Sequence, residues 1–173
     1  LAGPNPAAAT SERPFNPGTM PAVETEGLTK RYGDVTALDD LTFGVDEGEL
    51  FGLLGPNGSG KTTTIEILTG QREPTEGTAS VLGIDPVAEP QAVREAVGIL
   101  PEREDPPSFL TPREYLEFVC DVRGLPDPDT RIHDWAARLD FEGVLDTLSS
   151  DLSEGERQRV MLSQAFVHEP DLV

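Results

Sequence analysis

Lysine is nearly absent: Lys30 and Lys61 are the only two in 173 residues. Thirteen basic residues face thirty-two acidic ones, for a net charge of -19. A surface field of that sign opposes nucleic acid and anionic lipid, so non-specific nucleic-acid binding is not expected. The same shortage of lysine beside so many carboxylates reads as a surface adapted to high salt, as expected of a halophilic source. Cysteine is scarcer still. The lone Cys120 has no partner for an internal disulfide and reads as structural, as does His133. No stretch approaches the about 18 consecutive apolar residues of a spanning helix. The expectation is therefore a soluble, intracellular chain with one α/β unit, long enough to bury a core and without internal repeats.

The first 21 residues, which open LAGPNPAAATSERPFNPGT, have few groups to bury and no apolar run of signal-peptide length. They are expected to be disordered, and residues 1–19 to be an extension upstream of a true start at Met20. From residue 22 the pattern alternates. Extended segments are expected at Val23–Thr29 and Leu41–Val45, then at Glu49–Leu54, whose Phe51, Leu53 and Leu54 form a run of the buried-strand type. A helix over Lys61–Thr69, a strand at Thr78–Leu82, a helix at Gln91–Ala96 and a strand at Val97–Leu100 follow. After Pro101 the character turns helical. Thr111-Pro112-Arg113-Glu114 combines a capping box with proline at the first helical position, and residues 103–150 read as a helical subdomain.

Gly55-Pro56-Asn57-Gly58-Ser59-Gly60-Lys61-Thr62 matches G-x-x-x-x-G-K-[ST] between an expected strand and an expected helix, which is the context this motif requires. Its glycines let the backbone curl, so the N–H groups from about Gly58 to Thr63 point at a phosphate beside a helix N-terminus. Lys61 then reaches the β- and γ-phosphates of a nucleotide. The Thr62 hydroxyl is placed to ligate Mg²⁺.

A second motif, Leu152-Ser153-Glu154-Gly155-Glu156-Arg157-Gln158-Arg159, opens a helix through a capping box between Ser153 and Glu156. Together with the phosphate loop it resembles the ATP-binding cassette (ABC) ATPases, whose signature reads LSGGQ before a basic-Gln-Arg segment. The resemblance runs from about residue 22 to the end. It includes Tyr32 of KRYG, where the family stacks an aromatic ring on adenine, and Leu100-Pro101-Glu102, where the family has its Q-loop.

That resemblance implies a P-loop NTPase core with an N-terminal antiparallel β portion and an inserted helical subdomain, binding ATP and Mg²⁺. It implies a head-to-tail dimer in which Ser153 and the Gly155 amide of one subunit meet the γ-phosphate held by Lys61 of the other. It also implies a membrane-spanning permease partner, which the helical subdomain meets at the inner face of the cell membrane; the net charge adds the expectation of no nucleic-acid partner. The wording of GLLGPNGSGKTTTIEILTG and LTPREYLEF is similar to the exporter branch, and import is the alternative. Two departures stand out: Glu154 and Glu156 replace Gly and Gln of the signature, and Glu102 replaces the Q-loop glutamine as a second expected Mg²⁺ ligand. Pro170-Asp171-Leu172-Val173 resembles the lead-in to the Walker B strand, so the catalytic residues are expected beyond Val173 and this stretch alone is expected to be inactive. His168 precedes that point and reads as an ordinary loop residue. A soluble ABC ATPase acting on ribosomes or DNA fits less well, given the charge and the short segment between the two motifs. A nucleotide-binding module without turnover is the other alternative.

Overall fold

Two strands joined at a two-residue turn, Gly33-Asp34, begin the described part of the chain, with Gly33 taking the positive φ of 57° that such a turn needs. β1 (Val23–Tyr32) pairs antiparallel with β2 (Val35–Val45) through Val23↔Val45, Thr25↔Phe43 and Leu28↔Leu41. β3 (Glu76–Val81) adds to the other edge of β1, giving the order β2-β1-β3. Leu28, Leu38, Leu41, Phe43, Val45 and Val81 are buried. β2 extends well before the expected Leu41 because pairing starts from the turn, at Val35, although Asp39 and Asp40 interrupt its apolar pattern. The computed structural model describes residues 21–101 and 104–173. The expected N-terminal extension, apart from Pro21, and Glu102 lie outside the described residues.

The expected strand at Glu49–Leu54 is not formed. It has no ladder partner among the described residues, and Leu50 and Leu54 are exposed. A buried strand of a parallel sheet needs a hydrogen-bonding neighbour on its flanks, and apolar composition cannot supply one. Phe51 is instead held by stacking on Phe43, with ring centroids 5.1 Å apart. The strand expected at Val97–Leu100 shrinks in the same way to a single parallel bridge, Val97↔Leu172. α1 (Lys61–Leu68) and α2 (Pro90–Ala96) form close to where the pattern places them.

The described chain divides into two compact units between Arg94 and Glu95. In the second, α3 (Pro112–Arg123) starts at the expected capping box: Thr111 Oγ1 accepts from Glu114 N at 3.2 Å, and Thr111 N donates to Glu114 Oε2 at 2.8 Å. α4 (Pro128–Arg138) and α5 (Glu154–Phe166) share a core with it, built from Leu116, Ile132, Ala136, Phe141, Leu145, Leu152 and Val160. Cys120 is buried with Val119 and Val167 beside Trp135, and burial pushes its thiol above the usual range, as a structural cysteine requires. No described helix is long and apolar enough to cross a membrane.

The end of α5 is tied to residues 96–98. Gly98 N donates to Leu172 O at 2.8 Å and Asp171 N to Ala96 O at 3.0 Å. His168 Nε2 lies 3.2 Å from Val97 O, while its Nδ1 is buried without a partner. Burial, then the positive charge of Arg123, holds the imidazole below its ordinary 6.5, against the opposing pull of the Val97 bond. The neutral ring therefore adds stability that is complete above about pH 6.5 and is lost as pH falls toward the depressed folded value. His168→Gln is expected to flatten this acid loss in urea unfolding followed from about pH 7.5 to 5; an unchanged slope counts against the tie. Leu116→Ala, at the centre of the helical core, is expected to cost about 2–5 kcal/mol in the same measurement.

Candidate functional site

The loop before α1 takes its shape from two positive-φ glycines, Gly58 at 82° and Gly60 at 91°. Gly60 is constrained twice. A Cβ built there would sit 2.4 Å from Leu38 Cδ2 and 2.5 Å from Ala37 O, so the loop rests directly on β2. Ser59 N donates to Pro56 O at 3.2 Å, closing the turn, and Thr64 donates to Gly60 O through both N and Oγ1, at 2.8 and 3.0 Å. Lys61 folds back across the loop, its Nζ donating to Gly55 O at 2.7 Å and Pro56 O at 2.9 Å.

These bonds place a cation over a ring of backbone with α1 opening beneath it. The N-cap of α1, Gly60, offers no side-chain acceptor to the first turn, and no acidic residue occupies that turn. Uncapped helix amides beside a lysine form an anion-binding concavity. The Ser59 hydroxyl is buried without a partner, a donor suited to a ligand in the loop. Thr62 is exposed at the first turn and Thr63 half-buried. Among the described residues no group of three or more His, Cys, Asp or Glu is placed to hold a metal. A divalent ion here would draw on the Thr62 hydroxyl and on phosphate oxygens, which suits Mg²⁺, a cation that takes few protein ligands.

Tyr32 ends β1 and is 42% exposed. Its ring has company that the sequence did not announce: Lys30 Nζ and Arg72 Cζ each lie 5.4 Å from its centroid. Lys30 is held by Glu73 O at 2.6 Å, and Arg72 Nε donates to Glu66 Oε2 at 2.6 Å. Glu66 belongs to α1, so the helix that starts at the loop also carries the anchor for the residue beside Tyr32.

Ser153 and Gly155 belong to the second unit, at the start of α5. The Ser153 side chain is engaged: Oγ accepts from Glu156 N at 3.3 Å, and Ser153 N and Oγ both donate to Glu156 Oε2, at 2.7 and 2.6 Å. The hydroxyl bond, then the backbone bond, holds the Glu156 carboxyl below the usual carboxylate range. Glu156 thus turns back on its own helix start. Gly155 is exposed, and nothing stands within 4 Å of where a Cβ would be. Glu154 is exposed in the first turn. Leu100 and Pro101 line a cavity of about 560 Å³ with Glu104, Asp105 and the α5 residues Arg157 and Met161. Arg157 ties that cavity together, with Nε 3.4 Å from Asp105 Oδ1.

Sequence reasoning found the loop and the two helix starts, since each is written in consecutive residues. It missed Glu66, Arg72 and the contact of Gly60 with β2. A single arginine beyond a helix end carries no motif, and the approach of β2 depends on strand pairing rather than spacing.

The family described as ABC transporter matches residues 38–173. Several proteins are similar over nearly the whole chain. A probable multidrug ABC transporter ATP-binding protein, YbhF of Escherichia coli (strain K12), is 33% identical over 96% of this chain and 30% of its own length. Nod factor export ATP-binding protein I of Ralstonia nicotianae is 35% identical over 94% of the chain and 52% of its own length. Spermidine/putrescine import ATP-binding protein PotA of Rubrobacter xylanophilus is 35% identical over 90% and 42%. A solved ATP-binding subunit of an ABC transporter superposes with a TM-score of 0.76 at 32% identity, covering 86% of this chain and 63% of that one. CbiO1 from Clostridium perfringens, part of the ABC transporter complex cbiONQ, gives 0.75 at 26% identity, over 87% and 62%. The chain spans from about a third to about half the length of these curated relatives. A family match that covers most of the chain, with the loop at Gly55–Thr62 inside it, shows that the chain belongs to the ABC transporter family and carries its ATP-binding, P-loop α/β fold.

Proposed function

We propose that the protein binds ATP with Mg²⁺ and hydrolyses it to drive a substrate across a membrane through a membrane-spanning partner. The observation that carries this is the loop of Gly55 to Thr63, with Lys61 spanning it and α1 opening beneath. Gly55 and Pro56 carbonyls hold the ammonium where β- and γ-phosphate oxygens would replace them as acceptors. The amides from Gly58 to Thr63, with the Ser59 hydroxyl, supply the remaining donors. Asn57 stands at the exposed crest of the loop. Thr62 ligates the metal, and Glu102 is its proposed second protein ligand. A magnesium ion held there would neutralise phosphate charge. The base lies on Tyr32.

The second half of the reaction falls to a second ABC subunit in a head-to-tail dimer, whose Ser153 and Gly155 amide close on the γ-phosphate. Because the Ser153 hydroxyl proton rests on Glu156, closure exchanges that bond for one to phosphate. The helices of residues 104–150 are the surface for the membrane partner, at the inner face of the cell membrane. α3 presents Phe118 and Val122 there, four residues apart and exposed. The similarity to the Nod factor export proteins supports the exporter branch. No nucleic-acid role is proposed for a chain of net charge -19.

Lys61→Ala is expected to lower phosphate release by the full-length protein, reconstituted with its membrane partner, by at least about a hundredfold, because it deletes the cation that follows the γ-phosphate. Circular dichroism of the variant should be unchanged, and turnover at the parental rate would refute the assignment.

A further inference from the structure

We infer that Arg72, tethered by Glu66, is a positioning residue for the nucleobase: with Tyr32 it forms a cation–aromatic platform that receives a purine ring. The inference rests on the proposed ATP-binding reading and extends it to a residue outside both motifs. Arg72 is fixed twice to one partner. Its Nε donates to Glu66 Oε2 at 2.6 Å and its backbone N to Glu66 O at 3.1 Å. A guanidinium held in this way loses little freedom when a ligand arrives. Glu66 takes the Nε side of the fork, which leaves the Nη edge for a ligand.

The position also suits a nucleotide. Arg72 Cζ stands 5.4 Å from the centroid of Tyr32, a ring that is 42% exposed at the end of a strand. Lys61 and Glu66 lie on the same helix, five residues and about 7.5 Å of rise apart, so one rigid element links phosphate loop and platform. Lys30 Nζ and Arg72 Cζ each lie 5.4 Å from the ring centroid, and because Glu66 offsets the charge of Arg72, the platform offers a ligand directed N–H donors rather than a bare positive field. Stacking reads the face of a base, and both purines present N7 to a guanidinium edge, so this platform holds adenine and guanine alike.

The test is calorimetric titration of the purified full-length protein with ATP, GTP and inorganic tripolyphosphate, each with Mg²⁺. Arg72→Ala is expected to weaken ATP and GTP by about threefold to tenfold and to leave tripolyphosphate unchanged. Glu66→Gln should give a smaller loss of the same pattern. In a Tyr32→Ala background, Arg72→Ala should add nothing, since the two act as one platform. Parental ATP affinity in Arg72→Ala, beside a loss in Tyr32→Ala, would remove Arg72 from the site and leave the ATP reading standing. A parallel loss of tripolyphosphate would reduce Arg72 to a general charge and overturn the inference. Tripolyphosphate and ATP binding that survive Lys61→Ala unchanged would overturn the underlying reading itself.

Discussion

The absence of a side chain at Gly60 is the constraint on which the rest of the site depends. With φ at 91° and the backbone of β2 within 2.5 Å of where a Cβ would stand, no other residue lets the loop lie on the sheet. That contact sets where α1 begins, and α1 in turn carries Lys61 at one end and Glu66 toward the other. The Lys61 loop and the Tyr32 end are thus referred to one helix. The antiparallel sheet β2-β1-β3 has a double role. β2 supplies the seat for Gly60 and β1 ends in Tyr32, so the register of a single hairpin fixes both ends of the proposed nucleotide site.

Charge makes the loop's concentration of donors more consequential. A net charge of -19 opposes any polyphosphate, and in the proposed site what would overcome it locally is one ammonium, a helix start without an acidic residue in its first turn, and backbone amides. α5 uses the opposite arrangement. Its first turn holds Glu154 and Glu156, which suit the helix dipole and cap Ser153 but place two carboxylates where the proposed reading brings a phosphate. Glu156 resolves part of that conflict by folding onto Ser153; Glu154 remains exposed. Salt, which screens exposed charge over about 10 Å at 0.1 M, favours closure of such a surface.

What was legible in the sequence was local. Thr111 with Glu114, and Ser153 with Glu156, are capping boxes four residues long, and both form where they are written. The phosphate loop is eight consecutive residues, and its helix starts at Lys61 as read. The illegible parts depend on partners distant in the chain. The apolar run through Phe51, Leu53 and Leu54 has the composition of a buried strand, yet it forms none because a strand is defined by its neighbours and this one has no ladder partner among the described residues. The extent of β2 follows from a turn rather than from its own broken pattern. Arg72 reaches Tyr32 because the stretch after α1 returns to β1, where Thr75 N donates to Thr29 O at 2.7 Å. Nothing in the residues around Arg72 marks that return.

The central claim, that a side-chain-free contact with β2 shapes a phosphate site, is tested most directly by titrating inorganic tripolyphosphate into Gly60→Ala and the parent, with urea unfolding of both. The account predicts that the variant loses tripolyphosphate binding and more than about 1 kcal/mol of stability, since the new methyl meets both a forbidden φ and the backbone of β2. Parental affinity together with parental stability would contradict it.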